Sequence, residues 1–431
     1  MRPSRTLGFW MAVALVVGNV VGSGVYMLPA ALAPYGRNSL LAWSLVTAGV
    51  LLLAIVFAAL GRAFPREGGP YAYTREAFGD LAAFVVAWGY WVSVWVGNAA
   101  LATAGVSYAG AVLPAVLASP GASATAAIAV VWALTLVNGF GIRAAGWVQA
   151  VTTVLKLLPL VAIAAAGALA LPRAGLAALG DAPLSLDGTT AAATLALWAL
   201  VGFESGTVPA EKVRDPARTV PRATLAGTAA AAAFCTLACT AALVLVPGAR
   251  LAASNAPLAD VARILWGDAA ASAVAVLAAV SAFGALNGWI LLQGELPFAL
   301  ARDGLLPAAL ARSSRRGAPV LALAGTSGLV TLLLLAQAHR RAAAVFTSMI
   351  LLSTTANLVA YLACSLALLV LVRRGRHLGR ARLWLAVAAA LGAAFSLWAV
   401  AGAGPEAVGW GAVLLGAALP VYALARRRGG E

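Results

Sequence analysis

Gly18-Asn19-Val20-Val21-Gly22-Ser23-Gly24 lies inside an apolar run near 8–33, and its three glycines and a serine are poor residues for the interior of a spanning helix. Each glycine costs a helix about 1 kcal/mol against alanine, so the run is expected to unwind there. A second run, near 189–209, carries Gly202-Phe203-Glu204-Ser205-Gly206. Backbone unwound at membrane depth persists only where protein or a watery cavity satisfies its polar groups. Either cluster alone also suits close small-residue packing of the GxxxG kind. Breaks in the first and sixth runs together point to two halves of five spans around a transport site.

The rest of the chain has the composition this reading needs. Its 431 residues are 63% hydrophobic and 10% charged, which excludes a water-soluble globule and a disordered chain. Cuts at charges, prolines and glycine-rich turns leave runs near 8–33, 39–61, 81–116, 124–141, 146–171, 189–209, 222–246, 270–299, 318–337, 343–372, 384–402 and 407–425. They are mostly about 20 residues long and lack the alternation of barrel strands. An all-α integral membrane protein of about 12 transmembrane helices is therefore expected. It forms a single membrane transport domain over 1–431, with repeat one near 8–171, repeat two near 189–372 and two further helices near 384–425. The N-terminal run is read as a retained span, because it is too long for a signal segment and no cleavage site follows it.

The net charge of +15 reads as loop orientation rather than nucleic-acid binding. With a cytoplasmic N-terminus, 22 of the 29 Lys and Arg fall in inside loops and six in outside loops, with Lys156 left within a span. Both termini are accordingly expected on the cytoplasmic side of the cell inner membrane.

Two charged residues stand inside spans, where they are costly and usually functional. Glu204 follows the second break and suits either a proton-linked gate or a structural acceptor. Lys156, in Val154-Leu155-Lys156-Leu157-Leu158-Pro159, suits either a titrating group or a fixed cation bracing unwound carbonyls. Trp198 and Trp289 lie at depths where an interfacial anchor is less expected, and their faces could hold an ammonium or guanidinium. Trp88, Trp91 and Trp95 read as anchors or packing. Cys235 and Cys239 share one helix face and read as small core residues. No metal or cofactor site is expected.

The first motif, together with Glu67-Gly68-Gly69-Pro70-Tyr71-Ala72-Tyr73, Trp198-Ala199-Leu200-Val201-Gly202-Phe203-Glu204-Ser205 and Asp215-Pro216-Ala217-Arg218-Thr219-Val220-Pro221, resembles the amino acid–polyamine–organocation transporters. Tyr90, Asn98, Trp198, Glu204, Trp289 and Ser353 in register resemble the basic amino acid/polyamine antiporter branch, which is arginine/agmatine antiporter-like. The resemblance implies a LeuT-like five-plus-five inverted repeat with helices 1 and 6 broken. It implies that Ser23 and Gly24 hold a substrate carboxylate, that the Val201 carbonyl holds the amino group, and that Asn98 and Ser353 meet the distal end. Trp289 would stack there, Trp198 would cover the site, and Tyr90 would belong to the inward gate. Val20, Ser93, Val94 and Leu101 fall at pocket positions where that antiporter carries other residues. Lys156 departs from it and is similar to the lysine of proton-coupled permeases.

The resulting expectation is a secondary active amino acid/amine antiporter working by alternating access. A proton-coupled symporter is the alternative, and sodium coupling is disfavoured by an ammonium at position 156. Substrate is a small amino acid or amine, the bilayer is the surrounding partner, and protons and a second copy of the chain are candidate partners. Nucleic acid is not expected. A membrane enzyme would need a His/Cys/Asp/Glu cluster within the spans, and a channel would need a charged ring, and the sequence supplies neither.

Overall fold

The computed structural model describes residues 8–22, 24–64, 69–140, 155, 158–169, 179, 182–204, 213, 215–375 and 382–428, and all their regular elements are helical. Lys156 and Ser23 lie outside the described residues. In chain order the helices are α1 (Phe9–Val20), α2 (Gly24–Leu32), α3 (Asn38–Ala63), α4 (Gly69–Phe78), α5 (Asp80–Ala109), α6 (Pro120–Gly139), α7 (Leu158–Leu169), α8 (Leu186–Trp198) and α9 (Pro216–Leu245). They continue with α10 (Gly248–Ala252), α11 (Pro257–Trp266), α12 (Asp268–Arg302), α13 (Val320–Ala336), α14 (Ala342–Arg373), α15 (Arg382–Ala401), α16 (Gly404–Gly416) and α17 (Ala418–Arg428). Seven of the described helices, and an eighth stretch, Gly404–Ala425, that runs through α16 into α17, are long and apolar enough to cross a bilayer. The chain is a multi-pass, all-α membrane protein.

Two runs differ from their expected extents for local reasons. The run near 81–116 stays helical only to Ala109, because Pro114 has no N–H to extend the ladder and instead opens a short 3-10 turn, Pro114–Leu117. Ser119 then caps α6, its hydroxyl accepting from Ala122 N at 3.1 Å with Pro120 at the first helical position. The last run is divided between Gly416 and Ala418 into α16 and α17.

α5 is central, packed against α12, α14, α4, α6 and α13, while α9 packs against α1, α2 and α3. Trp88 and Trp91 on α5 prove to be packing groups. Trp88 Nε1 donates to the Leu414 carbonyl at 2.9 Å and Trp91 Nε1 to the Gln293 carbonyl at 3.2 Å, which ties α5 to α16 and α12. These contacts put α2, α5, α8, α9, α12 and α14 around the two breaks.

Candidate functional site

The first break is tight. Val21 has φ −72° and ψ 79°, an inverse γ-turn in which Gly22 N donates to the Val20 carbonyl at 2.7 Å. Helix α2 restarts at Gly24, and as in any helix its first N–H groups have no helical partners. The second break forms more gradually. After Trp198 the backbone tightens to i→i+3 bonds through Val201, and Gly202 then takes φ +110°, a conformation that strongly favours glycine.

Glu204 is fully buried beside that turn. Its Oε2 accepts from Gly202 N at 3.1 Å and from the Tyr361 hydroxyl at 2.8 Å, and Tyr90 also hydrogen-bonds to the carboxyl. The acid therefore caps an amide that the break itself set free. Tyr361 belongs to a ring cluster in which Phe57 meets Tyr73, Phe203 and Tyr361 edge-on and Phe203 meets Tyr361 at a tilt, with centroids 5.0–6.4 Å apart. At the end of the bundle where α1 begins, the Tyr71 hydroxyl on α4 donates to Asp303 at 3.3 Å just after α12. Burial, opposed by the Arg75 charge, raises Tyr71 above the ordinary tyrosine range.

Trp198 packs against both the start of α2 and α5. A Cβ added at Gly24 would lie 2.8 Å from Trp198 Cδ1, and one at Gly97 would lie 2.8 Å from Trp198 Cη2 and 3.2 Å from Ser353 Oγ. The indole is thus pressed between the start of α2 and the glycine face of α5. Trp289 on α12 faces it with ring centroids 6.4 Å apart and planes tilted by 42°. Ser353 Oγ donates to the Ser93 carbonyl at 2.7 Å, joining α14 to α5.

Asn98 leads into a polar relay that sequence reasoning missed. Its Nδ2 donates to Gln293 Oε1 at 2.7 Å, Gln293 Nε2 donates to Ser327 Oγ at 2.8 Å, and Ser327 Oγ lies 2.7 Å from Thr135 Oγ1. Thr135 spends its one proton on the Val131 carbonyl at 2.7 Å, so Ser327 must be the donor to Thr135. Ser327 then has no proton for Gln293, which fixes the Gln293 amide and in turn that of Asn98. Asn98 Oδ1 remains a buried acceptor with no partner among the described residues. The available signal was that Gln293 stands one helical turn from Trp289.

The thiols also have specific neighbours. Pro29 within α2 cannot donate to the Val25 carbonyl, and Cys239 Sγ lies 3.8 Å from that oxygen as its donor. One turn away on α9, Cys235 Sγ donates at 3.8 Å to the carbonyl of Ala199, inside the tightened segment. Both cysteines are fully buried, as core residues would be, and each faces backbone loosened near a break.

The structure therefore brings together Gly24, Trp198, Trp289, Ser353 and Ser93, sets Asn98 beside Gly97, and joins Tyr90 to Glu204. Val20, Val94, Leu101 and Val201 are buried in the same region, without a polar contact that assigns them a task. Among the described residues no group of three or more His, Cys, Asp or Glu could hold a metal ion. Beyond Trp198 a cavity of about 860 Å³ opens at the end of the bundle opposite the start of α1. Met27 and Leu195 line it, each three residues along its helix from Gly24 and Trp198 respectively.

Residues 7–421 match the family model described as amino acid permease. The chain belongs to the amino acid permease family. Among relatives of this family member, the cadaverine/lysine antiporter of Escherichia coli (strain K12) is 34% identical over 327 residues, covering 74% of this chain and 72% of that protein. The putrescine transporter PotE of the same strain is 28% identical over 434 residues, covering 99% and 97%.

Proposed function

We propose that this chain is an antiporter exchanging a cationic amino acid for a related amine by alternating access. The observation that carries this reading is the orientation of Asn98. With its NH2 group committed to Gln293, the side chain offers a carbonyl oxygen and no proton. Such a site welcomes a hydrogen-bond donor, which an ammonium or guanidinium supplies, and leaves the Oδ1 unsatisfied when the ligand is an aliphatic side chain. An unmet buried acceptor costs about 1–3 kcal/mol.

The other contacts fit the same ligand. The free N–H groups at the start of α2 suit a carboxylate. Trp198 and Trp289 offer aromatic faces to a cation. The names of the relatives, cadaverine/lysine antiporter and putrescine transporter, support a cationic amino acid and amines as the substrate class. We assign repeat one to residues near 8–171, repeat two to those near 189–372, and a cytoplasmic position to the N-terminus on the strength of the loop charges. In that frame the 860 Å³ cavity faces outward, and Tyr90, Glu204 and the aromatic cluster lie on the inward side.

Exchange in proteoliposomes tests the proposal. Lumenal lysine should accelerate uptake of labelled lysine, ornithine or cadaverine far more than uptake of leucine, and an empty lumen should give little uptake. Uptake into empty vesicles driven by a pH gradient would overturn exchange in favour of proton symport. Equal counterflow with leucine would overturn the cationic substrate class.

A further inference from the structure

The outer cavity contains charge chemistry that the central site does not use. Its lining includes Arg341 and, among the described residues, no acidic side chain. Arg341 is exposed and makes no ion pair among the described residues. Of the acids at this end of the bundle, Asp187 in the first turn of α8 and Glu406 in the first turn of α16 make no ion pair among the described residues and do not line the cavity, and the other two are paired elsewhere. Asp260 is held by Arg250 at 3.5 Å, by Arg263 at 2.7 Å and by the Ser254 hydroxyl, and Asp268 is held by Arg263 at 2.8 Å. Arg341 is also the N-cap residue of the 32-residue α14, and Ser119 and Pro120 bring the start of α6 into the same lining. Both helix ends add positive potential to that of the guanidinium. The cavity is thus a cationic antechamber leading toward Gly24 and Trp198.

We propose that this antechamber is a second, outer recognition site for the carboxylate of an incoming amino acid, with Arg341 as its anion-binding group, and that it discriminates against the decarboxylated amine. The proposal rests on the antiport reading above. A cationic amino acid carries, besides its two ammonium groups, a carboxylate that Arg341 attracts, while a diamine presents only the two positive charges and is repelled more strongly. The exchange equilibrium, set by the substrate gradients, is untouched. What changes is which substrate occupies this face below saturation, and an amino acid entering here against an amine leaving is kinetically favoured.

One unit charge acting through water at about 7 Å alters an occupancy by about threefold. Lysine and cadaverine differ by that one carboxylate charge, so Arg341→Gln should raise the ratio of the outer half-saturation concentration for lysine to that for cadaverine about threefold. Exchange would be measured in proteoliposomes of defined orientation with each substrate on each face, at about 20 mM and about 500 mM salt. Arg341→Lys should retain most of the wild-type ratio. High salt should bring the wild-type ratio toward that of the glutamine variant, because the screening length shrinks to a few ångströms. The salt titration of wild type alone keeps the proposal testable if the glutamine variant does not fold. A ratio insensitive to both salt and substitution would overturn the outer site while leaving antiport intact. Wild-type protein that exchanges neither substrate would overturn the antiport reading and this proposal with it.

Discussion

Replacing Gln293 by methionine isolates the polarity of the distal pocket, since the volume is nearly kept while both side-chain hydrogen bonds are lost. In the native protein Asn98 Nδ2 gives its proton to Gln293 Oε1 at 2.7 Å, so only Oδ1 is available to a ligand. In Gln293→Met an Asn98 that still presents Oδ1 to a cation strands its buried NH2, at a cost of about 1–3 kcal/mol. That corresponds to a loss of about fivefold to 150-fold in affinity for lysine or arginine. A ligand ending in a carbonyl escapes the penalty, because the freed NH2 can turn to meet it, so glutamine should bind as well as before or better. Calorimetric titration of purified protein with lysine, arginine, glutamine and leucine would measure the shift, with an unchanged elution profile as the folding control. Equal losses for lysine and glutamine would mean that Gln293 only supports packing, and would refute the relay.

Trp289→Leu should weaken cationic substrates more than leucine by up to about 2 kcal/mol, since only the former lose cation–π attraction; equal losses in titration would refute an aromatic cation site. Gly97→Ala should push Trp198 from its seat, where a Cβ would lie 2.8 Å from Cη2, costing about 1–3 kcal/mol and slowing exchange; an unchanged rate would show that the indole need not sit there. Glu204→Gln keeps an oxygen for Gly202 N and Tyr361 and should leave exchange nearly intact with a flattened pH dependence, whereas Glu204→Ala, which leaves the amide bare, should cost about 1–3 kcal/mol of stability by thermal melting. A pH profile unaltered by glutamine would restrict Glu204 to capping. The double change of Cys235 and Cys239 to alanine should lower the melting temperature and the exchange rate together, and no change in either would make the thiols filler.

The sequence shows the breaks and hides their supports. Glycine clusters at 18–24 and 202–206 are visible because helix propensity is a local property, and the described residues of both lie at or beside turns in the structure. The packing role of Trp88 and Trp91 was open in the sequence, because an indole looks the same whether its N–H meets a headgroup or a carbonyl on another helix. Gln293, Ser327 and Thr135 come from three helices, and no spacing along the chain announces that they share one line of protons. Tyr361 likewise reaches Glu204 across 157 positions. Lys156, the residue that most divides exchange from symport in the sequence, lies outside the described residues.

A broken helix needs partners for its freed backbone, and the choice of partner determines how the break can move. Glu204 and Gly202 belong to the same turn, so that cap travels with the segment it stabilises. The thiols belong to α9, which packs against α1, α2 and α3, and they reach a carbonyl on each broken span. Their contacts must stretch whenever either span tilts relative to α9. A thiol is a weak donor and costs little to separate from its acceptor, whereas a hydroxyl or amide in the same position would hold the break more firmly. Soft donors on the supporting helix and a strong cap within the moving turn together allow rotation about the break without melting it. That division of labour is what a carrier needs if the same unwound residues are to face both sides of the membrane in turn.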